Sequence, residues 1–249
     1  MENFTHEIFY TKPENVTDTT FIIEGQEFHH AFRVLRKKIG DNITAVDGAG
    51  NRYTGTIIKK ISEEKAECKI NKTVINSGEP ITAVTVFIGL IKGKRFEIFI
   101  EKSVEIGIRK IVPLITERSF KDISSQKLER WKNIAISAVK QCRRSILPEI
   151  CSPLELNSIF RKNEKFDLKL VAHSNKGSKN LSILLKNKKV RPIRKIAILI
   201  GPEGGFTENE VHQAETNGFI KVKLGERRLR TETAGIVALT SILLEQNDI

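Results

Sequence analysis

The sequence predicts an α/β protein: a small strand-rich domain, then a larger domain with a parallel sheet covered by helices. Three observations carry this. Residues from His6 to about Ile75 hold several short strand-like segments and one helix, the spacing of a small barrel. From Thr82 onward strand-like and helical segments alternate, as where crossover helices join parallel strands. Ile196-Ala-Ile-Leu-Ile-Gly-Pro-Glu-Gly-Gly-Phe206 runs five apolar residues, without polar alternation, into a glycine loop, as a strand buried on both faces does.

In the first domain His6–Tyr10 and Thr20–Ile23 read as strands. Gln26 to Lys37 reads as a helix with Phe28, Phe32 and Leu35 on one face. Ile43–Val46, Arg52–Ile58 and Ala66–Ile75 are further strands, with a turn at Asp47-Gly-Ala-Gly50. The polar, Gly- and Pro-containing Asn76-Ser-Gly-Glu-Pro80 marks the domain boundary, dividing the chain into 1–76 and 77–249.

In the second domain Thr82–Leu90 is a strand. Gly93 leads into a helix through Ile106, stopped by Gly107. Ile111–Ile115 is a strand whose Pro113 suggests an edge or a bulge. Ser125–Cys142 is amphipathic, with Leu128, Trp131, Ala135, Ala138 and Cys142 on one face. Ser152-Pro-Leu-Glu155 has capping-box spacing. Leu168–Ala172 is a buried-type strand ending at His173, and Lys186–Lys195 is a basic, loop-like run. After the glycine loop, Thr207 and Glu210 form a capping box, with Phe206 and Val211 placed as a hydrophobic staple. Phe219–Leu224 is a strand, Gly225-Glu-Arg-Arg-Leu-Arg230 a second loop, and Thr231 opens a final helix apolar over most of its circumference.

The chain has 249 residues and a net charge of +12, a balance that points to a polyanion such as nucleic acid. His29, His30, Arg33, Arg36, Lys37 and Lys38 cluster around the first helix, where such groups neutralise phosphates. Arg143 and Arg144 beside Gln141 suit a phosphate and a base edge, or equally a solvated helix end. No apolar run is long enough for a bilayer, and the N-terminus lacks the features of a signal peptide. The three cysteines, Cys68, Cys142 and Cys151, offer neither a disulfide framework nor a metal pair, which favours a reducing cytosol and no metal. Neither the phosphate-binding G-x-x-x-x-G-K-[ST] nor the dinucleotide G-x-G-x-x-G pattern is present. Ligands of open α/β sheets bind at the carboxyl ends of strands, where both glycine loops are expected.

Gly201-Pro-Glu-Gly-Gly205, Leu224-Gly225 and Leu229-Arg-Thr-Glu-Thr-Ala234 resemble the C-terminal signatures of the SPOUT superfamily of knotted methyltransferases. Within it the chain is most similar to the RsmE type, which methylates uridine N3 in small-subunit (16S) ribosomal RNA. His29-His30 with Val34-Leu-Arg36, Glu101–Gly107, Pro113 with Glu117-Arg-Ser119, and Gln141-Cys-Arg-Arg144 with Pro148 resemble other blocks in order, so the likeness spans nearly the whole chain. Two departures stand out. The second loop has Glu-Arg-Arg where the family more often has proline and an aliphatic residue, and Ser103-Val104 replace a small residue and threonine.

The resemblance implies a PUA-like RNA-binding β-barrel, then a SPOUT α/β domain with a deep trefoil knot. It also implies a cytoplasmic homodimer that uses S-adenosylmethionine. Carried across, the cofactor site is Val171, His173, Gly201, Pro202, Glu203, Gly204, Gly205, Leu224, Gly225, Leu229, Arg230 and Thr231. RNA contacts fall to His29, His30, Arg33, Arg36, Lys94, Arg95, Arg118, Gln141, Arg143 and Arg144, and Arg230, Glu203 and Glu232 are the catalytic candidates. Loss of the N3 proton puts charge on uracil O2 and O4, which nearby arginines stabilise. Two alternatives stay open: a knotted ribose 2′-O methyltransferase, and a non-catalytic RNA-binding assembly factor.

Overall fold

The computed structural model describes residues 7–119, 123–161, 164–175, 177–187 and 193–249. It forms two compact units. One is the chain up to Glu79 together with Ile136–Leu147; the other is Pro80–Ala135 with Pro148–Ile249.

The first unit contains β1 (Ile8–Tyr10), β2 (Thr20–Glu24), α1 (Gln26–His29), β3 (Asn42–Val46), β4 (Asn51–Ser62) and β5 (Lys65–Ile75). They form a five-stranded sheet in the order β1-β3-β4-β5-β2, with β1 parallel to β3 and the other pairs antiparallel. The β3–β4 turn is set by Asp47. Its carboxylate accepts the Ala49 and Asn51 amides, the Asn51 side chain and the Tyr53 hydroxyl. The core is Phe9, Phe21, Ile23, Phe28, Ile43, Ile57 and Cys68. The first helix is shorter than its periodicity predicts: α1 widens into a π turn over His30–Val34, closed by the Leu35 amide on the His30 carbonyl, and Arg36 follows at φ 55°. His6, the first residue of the first predicted strand, lies outside the described residues, as do residues 188–192 of the Lys186–Lys195 run.

The second unit contains β6 (Ala83–Gly89), α2 (Lys94–Ile106), β7 (Lys110–Ile115), the start of α3 (Ser125–Cys142), β8 (Glu149–Ile150), β9 (Leu154–Glu155) and α4 (Leu156–Arg161). There follow β10 (Leu168–Ala172), β11 (Lys179–Asn180), α5 (Leu181–Asn187), β12 (Lys195–Ile200), α6 (Glu208–Thr216), β13 (Ile220–Lys223) and α7 (Thr231–Glu245). The sheet is parallel, in the order β11-β13-β10-β12-β6-β7-β8, and β9 also pairs with β7. Central β12 is buried from Ile196 to Ile200, which is why its sequence carries no polar alternation. Helices α2 and α7 pack closely: a Cβ on Gly235 would lie 2.5 Å from the Phe99 ring.

One local expectation is refined and one is corrected. Pro113 marks a local break in the outer pairing of β7, not the end of the sheet. It sits inside the sheet, opposite Ile88, where β8 pairs only with Lys110 and Ile111 and β9 only with Leu114 and Ile115. Its missing N–H therefore falls between two short partners. Ser152–Glu155 caps no helix: Leu154 and Glu155 join β7 first, and α4 begins at Leu156. No helix among the described residues is long and apolar enough to cross a membrane.

Candidate active site

The strands β13, β10, β12, β6 and β7 are neighbours in that order and end in near register: Val222 and Ile200 both face Ala172, and Ile88 faces both Ile200 and Pro113. Their following loops therefore leave one edge of the sheet. The two glycine loops, after β12 and after β13, flank the end of β10, whose next residue is His173. This order brings Gly201–Gly205, Leu224–Thr231 and the Val171–His173 strand end together.

The first loop is a tight turn, closed by the Gly205 amide on the Pro202 carbonyl at 2.8 Å, with Gly205 at φ 70°. Its helix starts as its sequence predicts. Thr207 Oγ1 accepts the Glu210 amide, and Glu210 Oε2 accepts the Thr207 amide at 2.9 Å. Glu210 Oε1 also accepts the Glu117 amide at 2.9 Å, so one buried carboxylate joins this cap to the loop after β7. Phe206 and Val211 are buried in one cluster, as a staple requires.

Three arginines converge on Glu203 and Gly204. Arg95 Nη1 lies 3.4 Å from Glu203 Oε1, Arg118 Nη1 donates to the Gly204 carbonyl at 3.0 Å, and Arg228 Nη2 donates to the Glu203 carbonyl at 3.2 Å. Arg228 carried no role in the sequence reading. Its partner is a backbone oxygen distant in sequence, for which no motif signals. In the second loop Lys223 pairs with Glu226 and holds that carboxyl below the usual range.

The remaining candidates separate. Val171 is buried in the core with Leu199 and Phe206, so its side chain does not line the loops and only its backbone is placed for a ligand. His173 is fixed by its amide on the Val222 carbonyl; its Nε2 is buried, 3.8 Å from Glu208. Glu203 is exposed on its loop, Arg230 is the exposed N-cap of α7, and Glu232 is buried in the first turn of that helix. Pro202 and Thr231 are buried, whereas Leu224 and Leu229 are half-buried.

Of the RNA candidates, His29, Arg33, Arg36, Lys94, Arg118, Gln141 and Arg143 are exposed, Arg95 is partly exposed, and His30 is half-buried against Phe9. Arg144 is a correction. Its guanidinium is buried and donates from Nε and Nη2 to Glu79 Oε2, at 3.1 and 2.7 Å, while Glu79 Oε1 accepts the Ser145 and Ile146 amides. It is an internal clamp, and a phosphate has no access to it.

The parallel-sheet unit with glycine loops at its carboxyl edge is an RNA methyltransferase domain, and the β-rich unit that precedes it in sequence is a PUA domain. Residues 77–243 match the family described as RNA methyltransferase domain, and residues 23–71 the RNA methyltransferase PUA domain. The chain belongs to the ribosomal RNA small subunit methyltransferase E family, the RsmE type of the SPOUT superfamily. It is 34% identical to the Synechocystis sp. member over 92% of this chain and 75% of that protein. It is 30% identical to the Bacillus subtilis member over 93% of each. The Neisseria gonorrhoeae member, solved bound to S-adenosyl methionine, superposes with a TM-score of 0.82 at 31% identity, covering 96% of this chain and 97% of that one. A Legionella pneumophila methyltransferase in complex with SAM gives 0.81 at 31% identity, covering 95% and 96%.

Proposed function

We propose that this protein transfers a methyl group from S-adenosylmethionine to N3 of a uridine in small-subunit (16S) ribosomal RNA. The observation that carries the reading is the bare-backbone cradle: two glycine loops on either side of β10, in a chain whose relatives of like fold are solved with this cofactor.

The residues fit the donor. A Cβ on Gly205 or Gly225 would meet nothing within 4 Å, so both loops present open backbone. Thr116 Oγ1 and His173 Nε2, just past the ends of β7 and β10, and Glu232 Oε2 in the first turn of α7 are buried without a hydrogen-bond partner. Such atoms suit the donor's adenine, ribose and amino-acid groups. Gly201–Gly205 and Leu224–Thr231 would hold it, with the backbone at Val171–His173 beneath. When bound, the cofactor supplies an electrophilic methyl on a sulfonium.

The chain's own residues orient the uridine and stabilise charge. Arg228 and Arg230 belong to the second loop, and Arg95 from α2 and Arg118 after β7 reach the first, so these arginines outnumber Glu203 and the Lys223-paired Glu226. That excess of positive charge suits both the RNA backbone and the O2 and O4 charge left as N3 loses its proton. Glu203 is the exposed carboxylate of the first loop and the one an incoming base can reach. Glu232, buried in the first turn of α7, orients the site from within. Residues 1–76 bring the RNA through His29, His30, Arg33 and Arg36, helped by Gln141 and Arg143. Residues 77–249 carry the chemistry in a knotted SPOUT domain. A second copy of the chain covers the apolar α7, on which Leu244 is 56% exposed. The protein works in the cytoplasm, where ribosomal subunits are assembled.

The test is purified protein with labelled S-adenosylmethionine and either deproteinised 16S RNA or small subunits. Nucleoside analysis should show N3-methyluridine. A 2′-O-methyl product would replace this reaction by ribose methylation, and no methylated uridine on any substrate would end the proposal.

A further inference from the structure

The glycine loop has little of its own to hold it. Three of the five residues in Gly201–Gly205 are glycine, the residue that loses most freedom on ordering. The turn bond from Gly205 to Pro202 leaves the carbonyls of Glu203 and Gly204 pointing to other partners. Each is taken by a guanidinium from a different loop: Arg118 on Gly204 at 3.0 Å, and Arg228 on Glu203 at 3.2 Å. Arg118 follows β7 and Arg228 follows β13. In the sheet these strands stand two places from β12 on opposite sides. The tip of the loop is thus tied from both flanks. The stem of Arg118 also lies across Gly204, where a Cβ would meet Arg118 Cβ at 3.1 Å and Cδ at 3.2 Å.

We propose that Arg118 and Arg228 are positioning residues. They tether the two carbonyls and so hold the glycine loop in the shape that receives S-adenosylmethionine, before any RNA arrives. This rests on the assignment of Gly201–Gly205 to the donor site. It gives Arg118 and Arg228 a role besides the charge they offer to RNA. Both acceptors are neutral, so the tethers leave the arginines' charge uncancelled, unlike Arg95 on the Glu203 carboxylate.

Donor binding without RNA separates a tether from an RNA contact. Calorimetry with S-adenosylmethionine alone should show Arg118→Ala and Arg228→Ala each weakening affinity about tenfold, the factor that ~1.4 kcal/mol corresponds to. Lysine at either position, which can still donate one bond, should recover part of the loss. At saturating donor and RNA, kcat should fall less than donor affinity. Unchanged donor affinity overturns the proposal, whether or not the KM for RNA rises. Gly205→Val, which breaks the φ 70° turn, is the control. If it weakens donor binding and the arginine variants do not, the tether alone is wrong. If it too leaves affinity unchanged, the loop is not the donor site and the assignment falls with the proposal. Both arginines are exposed, and matching thermal melts will show that the variants fold.

Discussion

Gly89, the last residue of β6, lies against Pro202 so closely that a Cβ built on it would fall 2.4 Å from the Pro202 nitrogen and 2.6 Å from its Cδ. The end of one central strand and the start of the glycine loop are thus in backbone contact, and the proline ring leaves no room to yield. Gly89→Ala is expected to push the loop away from the sheet. Overpacking of this kind costs roughly 1–3 kcal/mol, a melting temperature lower by several degrees in calorimetry. Donor affinity should fall with it. A variant that melts and binds like the native protein would show that this approach does not set the loop.

Glu210 serves two elements at once. Its carboxylate accepts the Thr207 amide and the Glu117 amide, each at 2.9 Å. Glu210→Ala removes both acceptors and leaves two N–H groups to find others, at about 1–3 kcal/mol for each buried group left unsatisfied. Glu210→Gln keeps one acceptor oxygen and should lose less. Chemical denaturation of the two variants gives the order.

The Arg144–Glu79 pair is buried on both sides and saturated: two guanidinium bonds on one carboxylate oxygen, two backbone amides on the other. Removing one partner strands the other charge, at about 3–5 kcal/mol. Arg144→Ala should therefore lower stability sharply. Arg144→Lys should not restore it, because an ammonium cannot reproduce the two-pronged geometry. Full rescue by lysine would mean that the pair acts by charge alone. Arg143→Ala, next in sequence but exposed, should leave stability unchanged.

The protein has two tyrosines, and neither is ordinary. Tyr53 is pushed up to about 12, first by burial and then by its hydrogen bond to Asp47 and that carboxylate's charge. Tyr10 is raised by burial and by Glu14 and Asp47. A phenol whose folded pKa lies above its unfolded value stabilises the fold fully below about pH 10. That contribution is lost as pH rises from there toward 12. At pH 10 phenolate absorbance should stay well below half of its full value in the native protein and rise to about half after unfolding at the same pH, where an ordinary phenol is half ionised. An ordinary titration of both residues near 10 would contradict the Asp47 turn.

Burial also raises the Cys68 thiol to about 12, with Glu67 adding to the effect. Cys68 should resist alkylation at neutral pH until the protein unfolds, because thiolate is the reacting form. Mass spectrometry of the alkylated native protein gives the answer, and rapid labelling of Cys68 would mean that the first unit opens readily.

What could be read from the sequence was what depends on near neighbours. Helix α3 matches its apolar stripe from Ser125 to Cys142, Gly107 stops α2 at φ 118°, and Thr207 with Glu210 caps α6. The strand, glycine loop and helix around Gly201 are where the pattern placed them. Each of these signals lies within a few residues of its partner, so periodicity and capping chemistry suffice. The same local logic misled at Ser152–Glu155, where pairing with β7 outcompeted a cap, and at the end of α1, where the chain widened instead of continuing.

The tertiary structure decided what depends on distant partners. Arg143 and Arg144 are adjacent and alike in sequence, yet one is exposed and the other is locked onto Glu79, because a carboxylate 65 residues away lies beside only one of them. The order β13-β10-β12 puts the two glycine loops on either side of one strand end, and no stretch of sequence encodes which strands become neighbours. Arg118 and Arg228 reach Gly204 and Glu203 across 86 and 25 residues, respectively. The sequence by itself determined the two loops, their glycines and the helices that follow. That the loops form a single cradle, with arginines drawn from opposite sides of the sheet, was settled only by the packing of strands that are far apart along the chain.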